Sequence, residues 1–401
     1  MKTIVISGSP GKDLHIKIDS VKNLPPPFKK YLKKTLAYSK ISEAYGPEWD
    51  LNRVFNVLKE RAVQPFHYSY GGRGPNVAYG SAKLGGDVRL VTVFGDDYDK
   101  PYSGFFDGGY WSHLRRAGVK MGIFRVEVPC ELWRKEDELR QYIERTYGPN
   151  IYAADAVQVA NKETSTIVCC KDIQGIDWYY IDDINGAGYF EVARPAPKEV
   201  IRHADIVFVD TSEAPFMAEM VKSASQLGKE IIMDVGSYNV TPELLRNIIP
   251  KIRIVLGNAT EIGLVSEAFG VQTPQEIFRA SPTNCPQVIV LEDKIQCTAK
   301  VLLRSGEEID VGPVKANKIG NSVGCCDGIA AGFLTFYQKD FDIETCVRAG
   351  LIICAIKWES EGVHEGMPDK ITFRQRFEAQ FRSEYSQEKL VEIRRALGFQ
   401  S

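Results

Sequence analysis

The sequence predicts an α/β protein: a doubly wound, mostly parallel sheet flanked by helices, with a small β-sheet lid. Three observations lead there. Short, continuously apolar, β-branched runs recur along the chain, as strands buried on both faces require. Segments with apolar residues at every third or fourth position separate them. Two aromatic and β-branched runs near the middle lie close enough to pair as antiparallel strands.

Thr3-Ile4-Val5-Ile6 is the first strand, and Arg89-Leu90-Val91-Thr92-Val93-Phe94 follows. Further runs lie at 206–209, 230–233, 252–256 and 287–291. Between two of them, residues 214–227 place Phe216, Met220, Val221, Ala224 and Leu227 on one helical face, and Gly228 supplies a C-terminal cap. Strand, helix, strand in repetition gives a doubly wound domain, whose ligands favour the carboxyl ends of the strands. Thr166-Ile167-Val168-Cys169-Cys170 and Trp178-Tyr179-Tyr180-Ile181 read as the lid pair, around a turn at Gln174-Gly175. Two stretches interrupt the rhythm. Residues 21–64 contain Pro25-Pro26-Pro27, then the basic run FKKYLKKTLAYSK, then a helical pattern at 51–58. We read the basic run as a solvated helix face rather than as a site for an anionic surface. Residues 131–155 form a second insertion, charged and aromatic.

Composition narrows the function classes. The 401 residues are 44% hydrophobic and 25% charged with a formal net charge of -2, so no basic excess points to nucleic acid. The opening MKTIVISGSPGKDLHIKID meets charge at once and predicts neither a membrane span nor a secretory leader. Nine cysteines without a CxxC spacing fit free thiols in a reducing cytoplasm, and they give a zinc finger no support.

Three stretches carry candidate chemistry. Gly8-Ser9-Pro10-Gly11-Lys12-Asp13 follows the first strand without the spacing of a phosphate-binding P-loop. Asp13 could accept hydrogen bonds from substrate hydroxyls, or it could simply cap a turn. Gly71-Gly72-Arg73-Gly74-Pro75-Asn76 leads into a helix; its glycines let backbone approach a ligand, and Asn76 is placed to bond a hydroxyl. Gly320-Asn321-Ser322-Val323-Gly324-Cys325-Cys326-Asp327 opens the helical pattern IAAGFLTFY. Unpaired amides and the dipole of a helix start suit developing negative charge on a phosphoryl group. Asp327 there is either a base for an attacking hydroxyl or a plain N-cap. No GxGxxG follows the first strand, which argues against a dinucleotide-binding dehydrogenase.

Taken in order, these stretches resemble the ribokinase-like (PfkB) carbohydrate kinase family. The likeness rests on Asp13 after the first strand, on Gly71-Gly72-Arg73-Gly74-Pro75-Asn76, and on Leu84-Gly85-Gly86 with Gly95-Asp96-Asp97. It continues through Asn258-Ala259-Thr260-Glu261 and the stretch ending Gly324-Cys325-Cys326-Asp327, followed by Ala330-Ala331-Gly332-Phe333-Leu334. It runs from about residue 3 to 368. The resemblance implies one ribokinase-like α/β domain over 1–401, with lid strands from about 13–20, 66–76, 120–130 and 165–185, and insertions at about 21–64 and 131–155. It implies an ATP-dependent kinase acting on a hydroxyl of a sugar or sugar-bearing substrate, a nucleoside included, with Asp327 as catalytic base. Gly324, Cys325 and Cys326 would form the anion hole, and Asp13, Gly71, Gly72 and Asn76 would hold the acceptor. Asn258 and Glu261 would arrange Mg²⁺ through waters. The same likeness suggests a homodimer paired through lid sheets, while composition and the opening residues point to no nucleic-acid or membrane partner.

The sequence departs from the family at four places. The opening aspartate and threonine of the family's DTxGAGD signature are Asn321 and Ser322, and Ala349-Gly350-Leu351 stands where the family often sets a small polar residue against the adenine. The family's GAGD is GCCD here, and the TxG turn after the 287–291 strand is replaced by Leu291-Glu292-Asp293-Lys294. These departures motivate an alternative from another class, a catalytically silent relative that binds or scaffolds.

Overall fold

The computed structural model describes residues 1–20, 51–101, 108–133, 135–172, 178–182, 186–211, 214–236 and 240–400. Its large sheet has ten strands: β1 (Ile4–Ser7), β4 (Val88–Phe94), β5 (Ile123–Val126), β6 (Ala156–Val159), β9 (Ile206–Asp210), β10 (Glu230–Asp234), β11 (Ile254–Asn258), β12 (Val288–Asp293), β13 (Thr298–Leu303) and β14 (Glu308–Val311). They lie in the order β14-β13-β12-β11-β10-β9-β1-β4-β6-β5, parallel except for β13 and β14. The four other strands, β2 (Gly11–Ile18), β3 (His67–Gly71), β7 (Thr166–Asp172) and β8 (Trp178–Asp182), form a separate sheet in the order β3-β2-β7-β8.

Alternation along the parallel strands explains the two helical layers. Ile4 and Ile6 of β1 join the core on one face of the sheet, while Val5 between them joins the core on the other. The first face is covered by α2 (Arg73–Lys83), α9 (Cys325–Tyr337) and α10 (Ile343–Trp358). The second is covered by α5 (Ala214–Gln226), α6 (Pro242–Ile248) and α7 (Ala259–Phe269). Here helices of seven or more residues are numbered along the chain, from α1 (Leu51–Glu60) through α3 (Tyr110–Ala117), α4 (Glu136–Tyr147) and α8 (Pro274–Ala280) to α11 (Lys370–Phe381) and α12 (Gln387–Ala396). Each fully buried Ile or Phe in these layers contributes roughly 1.5–3 kcal/mol over its exposed state. Helix α9 is apolar on nearly all sides because α2 and α10 enclose it against the sheet. That enclosure fixes the position of its first turn.

Most predicted elements fall where the pattern put them. The strand starting at Thr3 begins one residue later, and the predicted 252–256 strand is shifted to 254–258. Gly228 takes the left-handed conformation (φ 66°) expected of a cap beyond α5. One expectation is corrected. The 120–130 segment gives the lid no strand: β5 pairs in parallel with β6 at the edge of the large sheet, from Ile123–Ala156 to Val126–Val159. Its partner strand is buried while β5 itself is half-exposed, the profile of a sheet edge. The lid's remaining strands arise at 11–18, 67–71, 166–172 and 178–182, while 73–76 belongs to α2. The second insertion, 131–155, is helical, built mainly from α4. The Pro25-Pro26-Pro27 turn, the basic run and the Gln174-Gly175 turn lie outside the described residues. No helix among the described residues is long and apolar enough to cross a membrane.

Candidate active site

The carboxyl ends of five neighbouring strands form the floor of the site. In sheet order, β12, β11, β10, β9 and β1 place Glu292, Asn258, Asp234, Asp210 and Ser7 at or near their last positions. Register fixes the row: Asp234 pairs with Asp210, and Asn258 with Glu292. Parallel strands end together, so their terminal polar residues converge on the crevice where an open α/β sheet takes its ligands.

Two helix starts close over this row. At one, β3 turns into α2 through Gly71 and Gly72. Gly72 has φ 90°, and a Cβ there would collide with the Ser9 carbonyl, so the turn requires glycine. A Cβ on Gly71 would fall on the Asp13 carboxylate of β2. At the other, Gly324 (φ 81°) caps the start of α9, placing Asp327 in the first turn. Asn76, one turn into α2, donates from Nδ2 to Asp327 Oδ2 at 2.6 Å. Asp13 and Asp327 both face the buried Tyr110, whose hydroxyl donates to the Gly71 carbonyl; burial first, and then Asp13, push that phenol well above its ordinary pKa. Asp13 lies against Gly71 just before α2 and Asp327 is bonded to Asn76 in the first turn of the same helix, so both carboxylates stand at the start of α2.

Arg73, within the glycine stretch, stands at the centre. Its Nη2 lies 2.7 Å from Asp234 Oδ2 and its Nε 3.7 Å from Asp327 Oδ1, with Glu261 and Asp210 adding to its field. Burial raises the pKa of Asp327, while Arg73 and the Asn76 hydrogen bond pull it back. Asp234, fully buried, is pushed up to about 8 by burial despite Arg73. Burial, reinforced by Asp234 and Glu261, raises Glu292 well above the carboxylate range. Neither Glu292 oxygen, nor Asp234 Oδ1, accepts a hydrogen bond from the described residues. Buried carboxyls without donors hold protons until a cation arrives, and an all-oxygen set of this kind suits a hard divalent ion.

Other predicted site residues are placed as follows. Asn258 and Glu261 form a capping box on α7: Asn258 Oδ1 accepts from the Thr260 and Glu261 amides, and Glu261 Oε2 accepts from the Asn258 amide. Asn258 thus stands in the row between Glu292 and Asp234, while Glu261 adds to the field at Arg73 and Glu292. The Cys325 amide donates to the Ser322 carbonyl at 3.2 Å, so it is turned from the cleft. That leaves Gly324, Cys326 and Asp327 as first-turn amides for which helix geometry provides no carbonyl. Gly95-Asp96-Asp97 ties the lid to the sheet: Asp97 accepts from Lys12 Nζ at 2.6 Å and from the Thr164 amide. The missing TxG glycine is replaced by a side chain, as Asp293 Oδ1 accepts from the Ile295 and Gln296 amides and closes the β12–β13 turn.

Asp13, His15 and Cys169 bring a carboxylate, an imidazole and a thiol within 4.8 Å of one another. Asn321 decides the chemistry there. Its Oδ1 accepts from the Val323 amide and its Nδ2 donates to the Glu361 carbonyl, so Nδ2 also faces His15 Nδ1, at 3.2 Å. His15 must accept on Nδ1 and carry its proton on Nε2, and burial keeps it neutral, with a pKa of about 3. That is a hydrogen-bonding tautomer, with its lone pair already used.

Sequence reasoning missed Arg73, Asp210, Asp234 and Glu292. A usable signal existed for three of them: each carboxylate is the first charged residue ending an apolar strand run.

Comparison with known proteins fits this geometry. The family described as "pfkB family carbohydrate kinase" matches residues 150–370. A nucleoside kinase of Methanothermobacter thermautotrophicus is 23% identical across 80% of this chain and 88% of its own. A 5-dehydro-2-deoxygluconokinase of Lacticaseibacillus casei is 24% identical across 82% of this chain and 94% of its own. The Burkholderia thailandensis nucleoside kinase solved in complex with ADP-inosine superposes with a TM-score of 0.64 at 16% identity, covering 95% of this chain and 96% of the other.

Proposed function

The chain belongs to the pfkB family of carbohydrate kinases, and from that premise we propose that it transfers the γ-phosphoryl group of ATP to a hydroxyl of a sugar or nucleoside, with Asp327 as base. The observation that carries this reading is the Asp327 carboxylate, held by Asn76 at 2.6 Å in the first turn of α9, at the same start of α2 where Gly71 meets Asp13. A carboxylate in that position can take the proton of an acceptor hydroxyl as the hydroxyl meets the phosphoryl group. The amides of Gly324, Cys326 and Asp327 would receive the charge that develops on the phosphoryl oxygens. Asp13 and the Gly71–Gly72 backbone would hold the acceptor's hydroxyls, and one Asn76 amide hydrogen remains for the same task.

Magnesium fits the donor set: Glu292 and Asp234 offer oxygens without donors, and Asn258 and Glu261 stand beside them. When bound with nucleotide, the ion would neutralise phosphate charge. Arg73 would contribute a fixed positive charge at the same end of the cleft.

The test is nucleotide consumption by purified protein against panels of free sugars, nucleosides and phosphosugars, alongside thermal shift with ATP and Mg²⁺. Turnover with one panel supports the reading and names the acceptor class. No turnover with any acceptor and no stabilisation at millimolar nucleotide would favour a silent binding protein. For the active enzyme, Asp13→Ala is expected to raise acceptor KM by roughly ten- to a hundredfold, the loss of one or two charge-assisted hydrogen bonds, with kcat less affected. An unchanged KM removes Asp13 from the acceptor site.

A further inference from the structure

We propose that His364 is a positioning residue for Asp327, acting through Asn76 without touching substrate; the proposal rests on the reading of Asp327 as base. His364 lies in the short helical turn Val363–Gly366, after α10, and is almost wholly buried. Its Nε2 stands 2.9 Å from Asn76 Oδ1. Its Nδ1 stands 3.1 Å from His113 Nε2 on α3.

The protonation of this chain follows from elementary bonding. An amide oxygen only accepts, so His364 Nε2 carries hydrogen. Burial, then His113 and Lys83, lower the His364 pKa well below the ordinary histidine value. Burial, then Arg116 and Lys83, lower His113 to about 4. Both rings are neutral near neutral pH, so His364 Nδ1 offers a lone pair and His113 Nε2 donates to it. Hydrogen bonds thus run in one direction, from His113 to His364 to Asn76 to Asp327. Tyr79 keeps the imidazoles in place, stacking on His364 at 4.2 Å and on His113 at 4.8 Å.

An asparagine amide can sit in either of two orientations, and only one presents NH₂ to Asp327. The reverse would turn the amide oxygen on the carboxylate and set NH₂ against the His364 N–H. The imidazole tautomer therefore locks the amide, and the amide donates to the base. A charge-assisted donor of this kind favours the ionised carboxylate, opposing the burial that raises its pKa. The other groups facing Asp327 are Arg73 and Lys294, the carboxyls of Asp210, Asp234 and Glu292, the Tyr110 phenol and the Cys325 thiol. Of these, Tyr110 packs edge-on against the His364 ring with centroids 5.8 Å apart, and both variants lose that ring, so a titration shift present in His364→Leu and absent in His364→Gln reports the Asn76 bond.

The experiment compares the pH profile of kcat for wild type, His364→Leu and His364→Gln, with nucleotide KM measured for each. His364→Leu is expected to lower kcat by roughly ten- to a hundredfold and to move the acid limb upward by about one pH unit, leaving nucleotide KM unchanged. His364→Gln, whose side-chain amide can place a donor near the lost Nε2, is expected to restore the limb. An unmoved limb in His364→Leu, or equal losses in both variants without a shift, overturns the proposal. Nitrogen-15 spectra of the wild-type imidazoles give an arm that needs no variant to fold. They should show neutral His364 with hydrogen on Nε2 below the ordinary histidine range, and hydrogen on Nδ1 instead overturns it. A wild type inactive towards every acceptor sinks the kinase reading together with this proposal, whereas an active wild type with an unmoved limb in His364→Leu sinks only this one.

Discussion

Asp327→Asn is expected to lower kcat by roughly 10²- to 10⁴-fold, the share a positioned general base commonly supplies, while the protein stays folded. The amide keeps the shape of the carboxylate and can still accept from Asn76, so the contact between α2 and α9 survives. It cannot take a proton. The sign of the stability change follows from the direction of the pKa shift. A buried carboxyl with a raised pKa contributes stability at low pH that is lost as pH rises through its folded value. Removing its charge takes away that loss, so the melting temperature of the variant at pH 8 should equal or exceed that of the wild type. Single-turnover kinetics and thermal melts check both halves. Near-normal turnover would mean that some other group takes the proton.

Arg73→Met is expected to have the second-largest effect, and its size should depend on pH. Arg73 is the positive charge between Asp234 and Asp327, and a methionine keeps most of its buried stem without the guanidinium. Without that charge both carboxyls hold their protons to higher pH. A larger share of the base is then protonated at any given pH, and kcat/KM should fall by about tenfold or more for each pH unit that its titration moves up, with partial recovery towards pH 9. Stability follows the same logic. Asp234 has a folded pKa of about 8 even beside Arg73. At pH 6 the variant keeps Asp234 neutral and loses little. At pH 9 the wild type pairs an ionised Asp234 with Arg73, and the variant faces the cost of breaking a buried pair, about 3–5 kcal/mol at its largest. Urea unfolding at the two pH values measures the difference. Equal losses at pH 6 and pH 9 would show that Arg73 acts through packing rather than charge.

Where the site was legible in the sequence, the residues sat inside local patterns. Asp327 opens a helix whose small residues announce it, and Gly71-Gly72 breaks a strand before another helix. Asp210, Asp234 and Glu292 were written just as plainly at the ends of apolar runs, but only side-by-side strands make them one cluster. His364 carried no signal, because its neighbours Val363, Glu365 and Gly366 form no pattern, and its partner Asn76 is 288 residues away. The lid was half legible. Strand character at 120–130 was correct, but which sheet receives a four-residue strand depends on the edge it meets, here that of β6.

By itself the sequence determined the alternation of strands and helices, and hence a sheet covered on both faces, because the spacing of apolar residues dictates which elements can bury them. It also determined that a carboxylate would begin a late helix behind a glycine. Tertiary structure alone decided that Asn76 meets Asp327 across 251 residues, that Arg73 lies among carboxyls, and that Asn321 sets the tautomer of His15. The reason is physical. Periodicity encodes the local preference of a segment for a face, whereas a hydrogen bond of 2.6 Å or a displaced pKa depends on the packing of elements distant in the chain.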